Sequence, residues 1–305
     1  MTRRPTGGAA TRRSRPVLAI SVLAGPFVLL FTCVYLVPLA YSLVRSLFRK
    51  QSSGIGIGPQ TDVFVGLANY AEVVTSSTFW TGIGRVFGYG LFQIPVTLLL
   101  AMAIALLIDS RASRGRAFFR LSSFLPYAIP GIVASLLWAY LYVPQLSPVV
   151  QLVHSWGWEV DLLGNTWVLF SIANIAVWSW AGYNMVIYTA SLQSIPREII
   201  EAAQVDGANE WVQAVRIKAP LIRGQIVLTA LLSTIGSIQL FSEPTILRTV
   251  TTAISAEWTP MMLAYNQTFG ANNFERGSAV SVVIAVIAGV LATIYHKLET
   301  RGARS

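Results

Sequence analysis

Ile195-Pro196-Arg197-Glu198-Ile199-Ile200-Glu201-Ala202-Ala203-Gln204-Val205-Asp206-Gly207 reads as a short helix with both ends marked. Pro196 suits a first turn, where an N–H has no partner inside the helix. Glu198 and Glu201 put negative charge near the positive end of the dipole, and Gly207 supplies a left-handed stop. Ile195, Ile199, Ala202 and Ala203 fall at i, i+4, i+7 and i+8, one small and shallow apolar face. A second helix follows, in which Ala208, Trp211, Val212, Val215 and Ala219 recur at i, i+3, i+4, i+7 and i+11. Arg216 and Lys218 sit near its end, and Pro220 blocks further regular helix. Patterning alone also suits an amphipathic pair lying on a membrane surface.

On both sides of this stretch the chain is too apolar for a soluble globule. Of 305 residues, 54% are hydrophobic and 11% charged, where an average soluble domain carries about 25% charged residues. A disordered chain would be more polar, a nucleic-acid-binding domain more charged, and a disulfide scaffold richer in cysteine than the lone Cys33. The net charge of +9 comes from basic residues flanking apolar runs, so the lipid bilayer, and no nucleic acid, is the partner it implies. Crossing a hydrocarbon core of about 30 Å takes roughly 20 mostly apolar residues in a helix. Six segments qualify: Val17 to Tyr41, Thr81 to Ile108, Leu121 to Tyr142, Thr166 to Leu192, Leu221 to Phe241 and Ser278 to His296. Each is expected to be continuous enough to satisfy its own backbone hydrogen bonds in lipid. The first, preceded by Arg12, Arg13 and Arg15, resembles a signal peptide in its flank but is too long and opens a series of spans.

The expectation is an all-α polytopic membrane protein. It has a basic N-terminal tail (1–16), a six-span domain (17–296) with a large loop at 193–220, and a C-terminal tail (297–305). With the N-terminus inside, sixteen Lys and Arg fall on the cytoplasmic side and five outside, so both termini and the loop are placed in the cytoplasm. The cluster Arg45, Arg49 and Lys50 stands on the wrong side of that rule, directly after span one. Gln51 to Pro59 reads as an extracytoplasmic loop, and Val65-Gly66-Leu67-Ala68-Asn69-Tyr70 as a segment folded onto the membrane surface. Trp156, Trp158 and Trp167 suit an interfacial aromatic belt.

The loop residues carry a more specific signal. Glu201-Ala202-Ala203, three residues, Gly207, nine residues and Ile217-Lys218-Ala219-Pro220 resemble the E-A-A-x3-G-x9-I-x-L-P signature of membrane subunits of binding-protein-dependent ABC importers. Ala219 stands where that family usually has Leu. Arg114-Gly115 through Phe119-Arg120, Pro126 and Pro130, Val65 to Tyr70 and Leu192 to Pro196 look like its sugar-permease branch. The likeness runs from Val17 to the last span. Gly84 and Arg85 replace a common Asn-Thr pair. The usual Gly-Gly-Pro after span five gives way to Gln239-Leu240-Phe241-Ser242-Glu243-Pro244, similar to the Phe-Asp-Glu-Pro run of some oligosaccharide permeases.

The resemblance implies a type I ABC importer permease in the inner membrane. It would be paired with a second permease subunit in a heterodimer, two cytoplasmic ATPase subunits and an extracytoplasmic solute-binding protein. Its loop would dock on an ATPase through Glu201, Ala202, Ala203, Asp206, Gly207 and Pro220. No G-x4-G-K-[ST] occurs in the chain, so ATP and Mg belong to the partner ATPase and this chain binds no cofactor of its own.

For the solute path the residues offer Trp180, Tyr183, Asn184, Gln239 and Glu243: planar hydrogen-bonding groups and aromatic faces of the kind that hold a sugar. The same groups also suit ordinary helix packing and loop capping. Asn174, Tyr127 and Trp178 belong to the same class. A glycerol-phosphate importer is the alternative, with Arg85 and Arg248 attracting the anion; Arg85 otherwise reads as snorkelling outward. An ion-coupled carrier or intramembrane enzyme would need paired acids or a His-Glu relay inside spans, whereas Asp109 and Glu243 sit at span ends. His154, His296 and Cys33 stand apart from one another, without metal-ligand spacing.

Overall fold

The computed structural model describes residues 16–52, 60–110, 114–157 and 159–302. The N-terminal arginines, most of the Gln51–Pro59 loop, Arg111, Trp158, the side chain of His296 and the last three residues lie outside the described residues.

Span one is a broken rod: α1 (Pro16–Phe31), a π-turn over Thr32–Leu36, and α2 (Val37–Arg45). The π-turn ends two residues before Pro38, and the Val37 N–H reaches back to Thr32 O. Proline donates no N–H and its ring crowds the carbonyl four residues back, so a widened turn at that point relieves the clash. The same device recurs before Pro220.

After α2 comes a hairpin of β1 (Phe48–Ser52) and β2 (Gln60–Phe64), antiparallel with Phe48 opposite Phe64 and Lys50 opposite Asp62. A lone two-stranded hairpin is marginal in water, and side chains hold this one. Arg45 donates to both carboxylate oxygens of Asp62, at 2.5 and 3.0 Å, and also grips Glu275. Beside it α3 (Ala68–Thr75) begins after Gly66, whose φ of +58° is open mainly to glycine. Asn69 is buried; its amide donates to Ser46 O and Phe48 O at 2.8 and 2.7 Å and accepts from Arg49, which also pairs with Glu72 at 2.6 Å. Val65 to Tyr70 is thus folded onto the C-terminal end of span one. The basic cluster that opposed the charge rule has its arginines neutralised within the chain.

The centre is a pair of long helices, α4 (Ser77–Asp109) and α8 (Val168–Gln193), packed along much of their length. Between them lies the expected third span, and here the expectation of a continuous helix fails. The segment consists of α5 (Arg116–Phe124), a 3-10 turn over Leu125–Ala128 and α6 (Gly131–Tyr142), bent by 94°. Pro126 and Pro130 remove two N–H donors within five residues, so helical bonding cannot run through the bend. A short α7 (Pro148–Ser155) follows, capped by Ser147. Gly182 of α8 sits where a Cβ would fall 1.9 Å from the Ser123 carbonyl oxygen, so only glycine permits this crossing.

The loop at 193–220 folds as α9 (Arg197–Val205), α10 (Glu210–Gln213), a π-turn over Ala214–Lys218 and α11 (Ala219–Leu221). The fifth span is α12 (Arg223–Ile238) with α13 (Ser242–Leu247) beyond a break, and the chain then forms α14 (Pro260–Tyr265) and a π-turn over Asn266–Gly270. The last helix, α15 (Phe274–Gly302), runs past the expected end of span six.

Among the described residues, four helices are long and apolar enough to cross a membrane, and the bent pair is a fifth candidate. The helix α8, the expected fourth span, is long enough at 26 residues, about 39 Å, but more polar. It is the most enclosed of the long helices, with fourteen residues buried. Protein rather than lipid surrounds those positions, which relaxes the demand for apolar side chains.

Candidate functional site

The loop between α8 and α12 is closed by a glycine turn. Gly207 has φ +82°, its N–H bonds Gln204 O at 3.0 Å, and the Ala208 N–H bonds Ala203 O at 2.9 Å. These two bonds are the paired closure of a helix by a left-handed residue. Asn209 then caps α10 by accepting from the Val212 N–H at 2.9 Å, and Gln213 reaches back to Ala208 O at 2.6 Å. The helix starts at Arg197, so Pro196 stands at its cap rather than inside the first turn. The second expected helix is not regular. It widens into the π-turn, with the Ala219 N–H on Ala214 O, one residue before Pro220, and continues through Pro220 as α11.

The base of this elbow is fixed and its tip is open. Lys218 Nζ lies 2.5 Å from Asp109 Oδ2 at the end of α4. Glu201, Ala202, Asp206 and Gly207 are exposed, Ala203 is half-buried, and Val205 and Trp211 are 88% and 76% exposed. Beneath α9 a cavity of about 210 Å³ is lined by Ser191, Ser194, Ile195, Ile199, Leu221 and Gln225. The elbow is therefore tied to α4, with Ile195 packed at the junction of α8 and α12 and a cavity under the start of α9.

Of the expected solute-path residues, the structure brings Trp180 and Tyr183 together with Tyr127 of the broken span. The Tyr127 and Tyr183 rings stack at 4.8 Å, and Trp180 meets each edge-on at 5.3 and 5.8 Å. Asn184 is buried, with its amide donating to Trp180 O at 2.9 Å, which ties it into α8 beside the rings. Asn174 is exposed and donates to the Tyr142 hydroxyl at 2.9 Å. Gln239 is exposed at the end of α12, and Glu243 is half-buried in the first turn of α13, near the Tyr89 phenol. Among the described residues no hydrogen bond or ring contact ties Gln239 or Glu243 to the aromatic group. Arg85 is held by the connection between spans five and six: it is half-buried, donates to Trp258 O at 3.1 Å, and lies 5.3 Å over the Trp258 ring.

A further polar group, overlooked in sequence, lies between spans five and six. Glu257 Oε1 accepts from Asn266 Nδ2 at 3.0 Å and Gln267 Nε2 at 2.9 Å. Next to it Phe241, Tyr265 and Phe269 form a ladder of rings at 5.2 and 4.9 Å. These residues have no common periodicity in sequence; the only signal was a density of amides and rings in a connection.

The family described as binding-protein-dependent transport system inner membrane component matches residues 97–298, which include the elbow and the aromatic group. Among curated relatives, the arabinooligosaccharides transport system permease protein AraP of Halalkalibacterium halodurans is 27% identical over 89% of this chain and 84% of its own length. The trehalose transport system permease protein SugA of Mycobacterium tuberculosis is 27% identical over 91% and 87%. The sn-glycerol-3-phosphate transport system permease protein UgpA of Rhizobium meliloti is 28% identical over 92% and 94%. In fold the chain is similar to a chain of a bacterial ABC transporter that imports alginate, with a TM-score of 0.78 at 22% identity over 94% of this chain and 96% of that one. Span-length apolar helices, a glycine-closed elbow built on the E-A-A residues and a match over most of its length place this chain in the family of binding-protein-dependent inner membrane components, the multi-pass permease subunits of ABC importers.

Proposed function

We propose that this chain lines one half of the path for a neutral saccharide or oligosaccharide and couples that path to a separate cytoplasmic ATPase through the elbow at 193–220. The observation that carries the coupling role is the elbow itself: a tip closed at Gly207 with Val205 and Trp211 uncovered, on a base tied to Asp109. Apolar side chains this exposed at the end of a short rigid helix are what a docking partner covers. In this reading both termini and the elbow face the cytoplasm. The complex holds a second permease subunit, two ATPases that carry ATP and Mg, and an extracytoplasmic solute-binding protein.

The saccharide assignment is supported by the stacked Tyr127, Trp180 and Tyr183 and by the arabinooligosaccharide and trehalose permeases among the relatives. Aromatic faces meet the C–H faces of sugar rings, while neighbouring amides and carboxylates meet hydroxyls. The phosphate-ester alternative has a relative in its favour. Of its two cations, though, Arg85 is engaged with Trp258.

The test is solute-stimulated ATP hydrolysis by the reconstituted complex. Gly207→Pro, which forces φ to about −65° where +82° is needed, and Glu201→Arg, which reverses charge on the tip, should each abolish stimulation while the subunit remains inserted. Unchanged stimulation in both would remove the elbow from coupling. Glu210→Cys in a Cys33→Ser background should resist an impermeant thiol reagent in intact cells; labelling would reverse the orientation.

A further inference from the structure

Between span five and span six the chain folds into a small, tightly determined unit. Glu257 holds two side-chain amides at once, those of Asn266 and Gln267. Asn266 begins a π-turn, and its Oδ1 lies so close over Gly270 that a Cβ there would fall 2.4 Å away. The turn closes with the Ala271 N–H on Asn266 O and the Asn273 N–H on Gln267 O, both at 2.8 Å. Asn272 takes φ +53°, the one positive-φ residue other than glycine among the described residues. Widened helical turns and left-handed non-glycine residues are costly and concentrate where a side chain must be aimed.

What this turn carries is a platform. Tyr265 and Phe269, one helical turn apart, are 53% and 67% exposed, and Phe241 continues the row from the break in span five, between Gln239 and Glu243. The unit lies at the outer end of the bundle in the orientation proposed above. Pro260 packs on Gly82, one turn into α4 from its start, and Thr268 packs on Gly277 at the start of α15.

We infer that the Phe241–Tyr265–Phe269 ladder with the Glu257–Asn266–Gln267 cluster is an outer saccharide station, separate from the Tyr127–Trp180–Tyr183 group, that receives a neutral sugar ring at the mouth of the path. The inference rests on the saccharide reading of the preceding section. The chemistry selects the ligand. Rings offer apolar faces, the clamped amides offer fixed polar edges, and the amide donors that hold Glu257 leave its negative charge uncancelled, which admits hydroxyls and repels phosphate or carboxylate esters. The nearby cation, Arg85, is directed at Trp258.

Protection from labelling tests this directly. In a Cys33→Ser background, Ala271→Cys, at the exposed close of the π-turn and outside the ladder, in the complete complex in nanodiscs is treated with an impermeant maleimide, with trehalose, arabinotriose or glycerol 3-phosphate as probes. One of the two neutral saccharides should slow labelling and glycerol 3-phosphate should not. Adding Glu257→Ala should raise the saccharide concentration needed by roughly three- to tenfold, and Glu257→Gln should let glycerol 3-phosphate protect. Leu99→Ala, on the exposed middle of α4, should change nothing. Labelling indifferent to both saccharides while the unmodified complex still takes them up would overturn the station alone. A complex that moves neither saccharide would overturn the saccharide reading itself, and the station with it.

Discussion

At the rim formed by the end of span one Arg45 grips Asp62 and Glu275 and Arg49 grips Asn69 and Glu72, whereas on the elbow Lys218 pairs with Asp109 at the base and the tip leaves Val205 and Trp211 uncovered. The rim gathers the end of span one, the hairpin, α3 and the start of the last helix into one frame. The elbow is anchored at one end and has clearance beneath it. A surface whose charges are paired within the chain is a fixed support; one that leaves large apolar side chains in water is shaped for another chain.

The largest effect that can break this contrast is at the rim. Arg45→Met leaves Glu275, 1% exposed, as a buried carboxylate without its cation, a loss of about 3–5 kcal/mol. Thermal unfolding in detergent should fall accordingly, and adding Glu275→Leu should restore most of it. An Arg45→Met protein as stable as the parent would mean the rim is no frame.

Lys218→Met tests the base of the elbow. Its partner Asp109 is closer to solvent, with side-chain exposures of 16% and 21% for the pair, so the expected loss is no more than about 1 kcal/mol. A loss as large as that of Arg45→Met would place the elbow in the frame. Trp211→Asp sharpens the other side: stability should stay within about 0.5 kcal/mol, while co-purification of the ATPase is lost. Retained co-purification would show that the uncovered tip is not the docking face.

The smallest effect is the acid response of the hairpin. Hydrogen bonding to Arg45 holds the Asp62 carboxyl below its usual range. Because the folded value lies below the unfolded one, its stabilisation is complete above the ordinary carboxylate range and fades as pH falls through the folded value. Asp62→Asn should flatten that part of the pH-stability curve by lowering stability slightly at neutral pH, where the carboxylate is charged, and leaving acid pH unchanged.

Much of this was legible in the chain. The elbow was readable because its signals are local: Glu198 in the first turn, Gly207 at the end and the spacing to Pro220 act on backbone within a few residues. The apolar spans were readable because lipid imposes one rule on length and composition. The bend in span three was half-legible: Pro126 and Pro130 marked a break, but apolarity alone read as a continuous rod. Pairing Arg85 with Trp258, or Arg45 with Glu275 across 230 positions, had no local signal at all.

By itself the sequence determined the predominantly helical membrane class, the elbow and its glycine stop, because helix periodicity, capping and hydropathy are properties of neighbouring residues. Only the tertiary structure decided that Tyr127 joins Trp180 and Tyr183, that Gly182 must be glycine against the Ser123 carbonyl, and that Glu257 clamps two amides beside a row of rings. Those contacts join residues from separate elements whose approach is set by the packing of whole helices, and a crossing between two helices leaves no periodic trace in either.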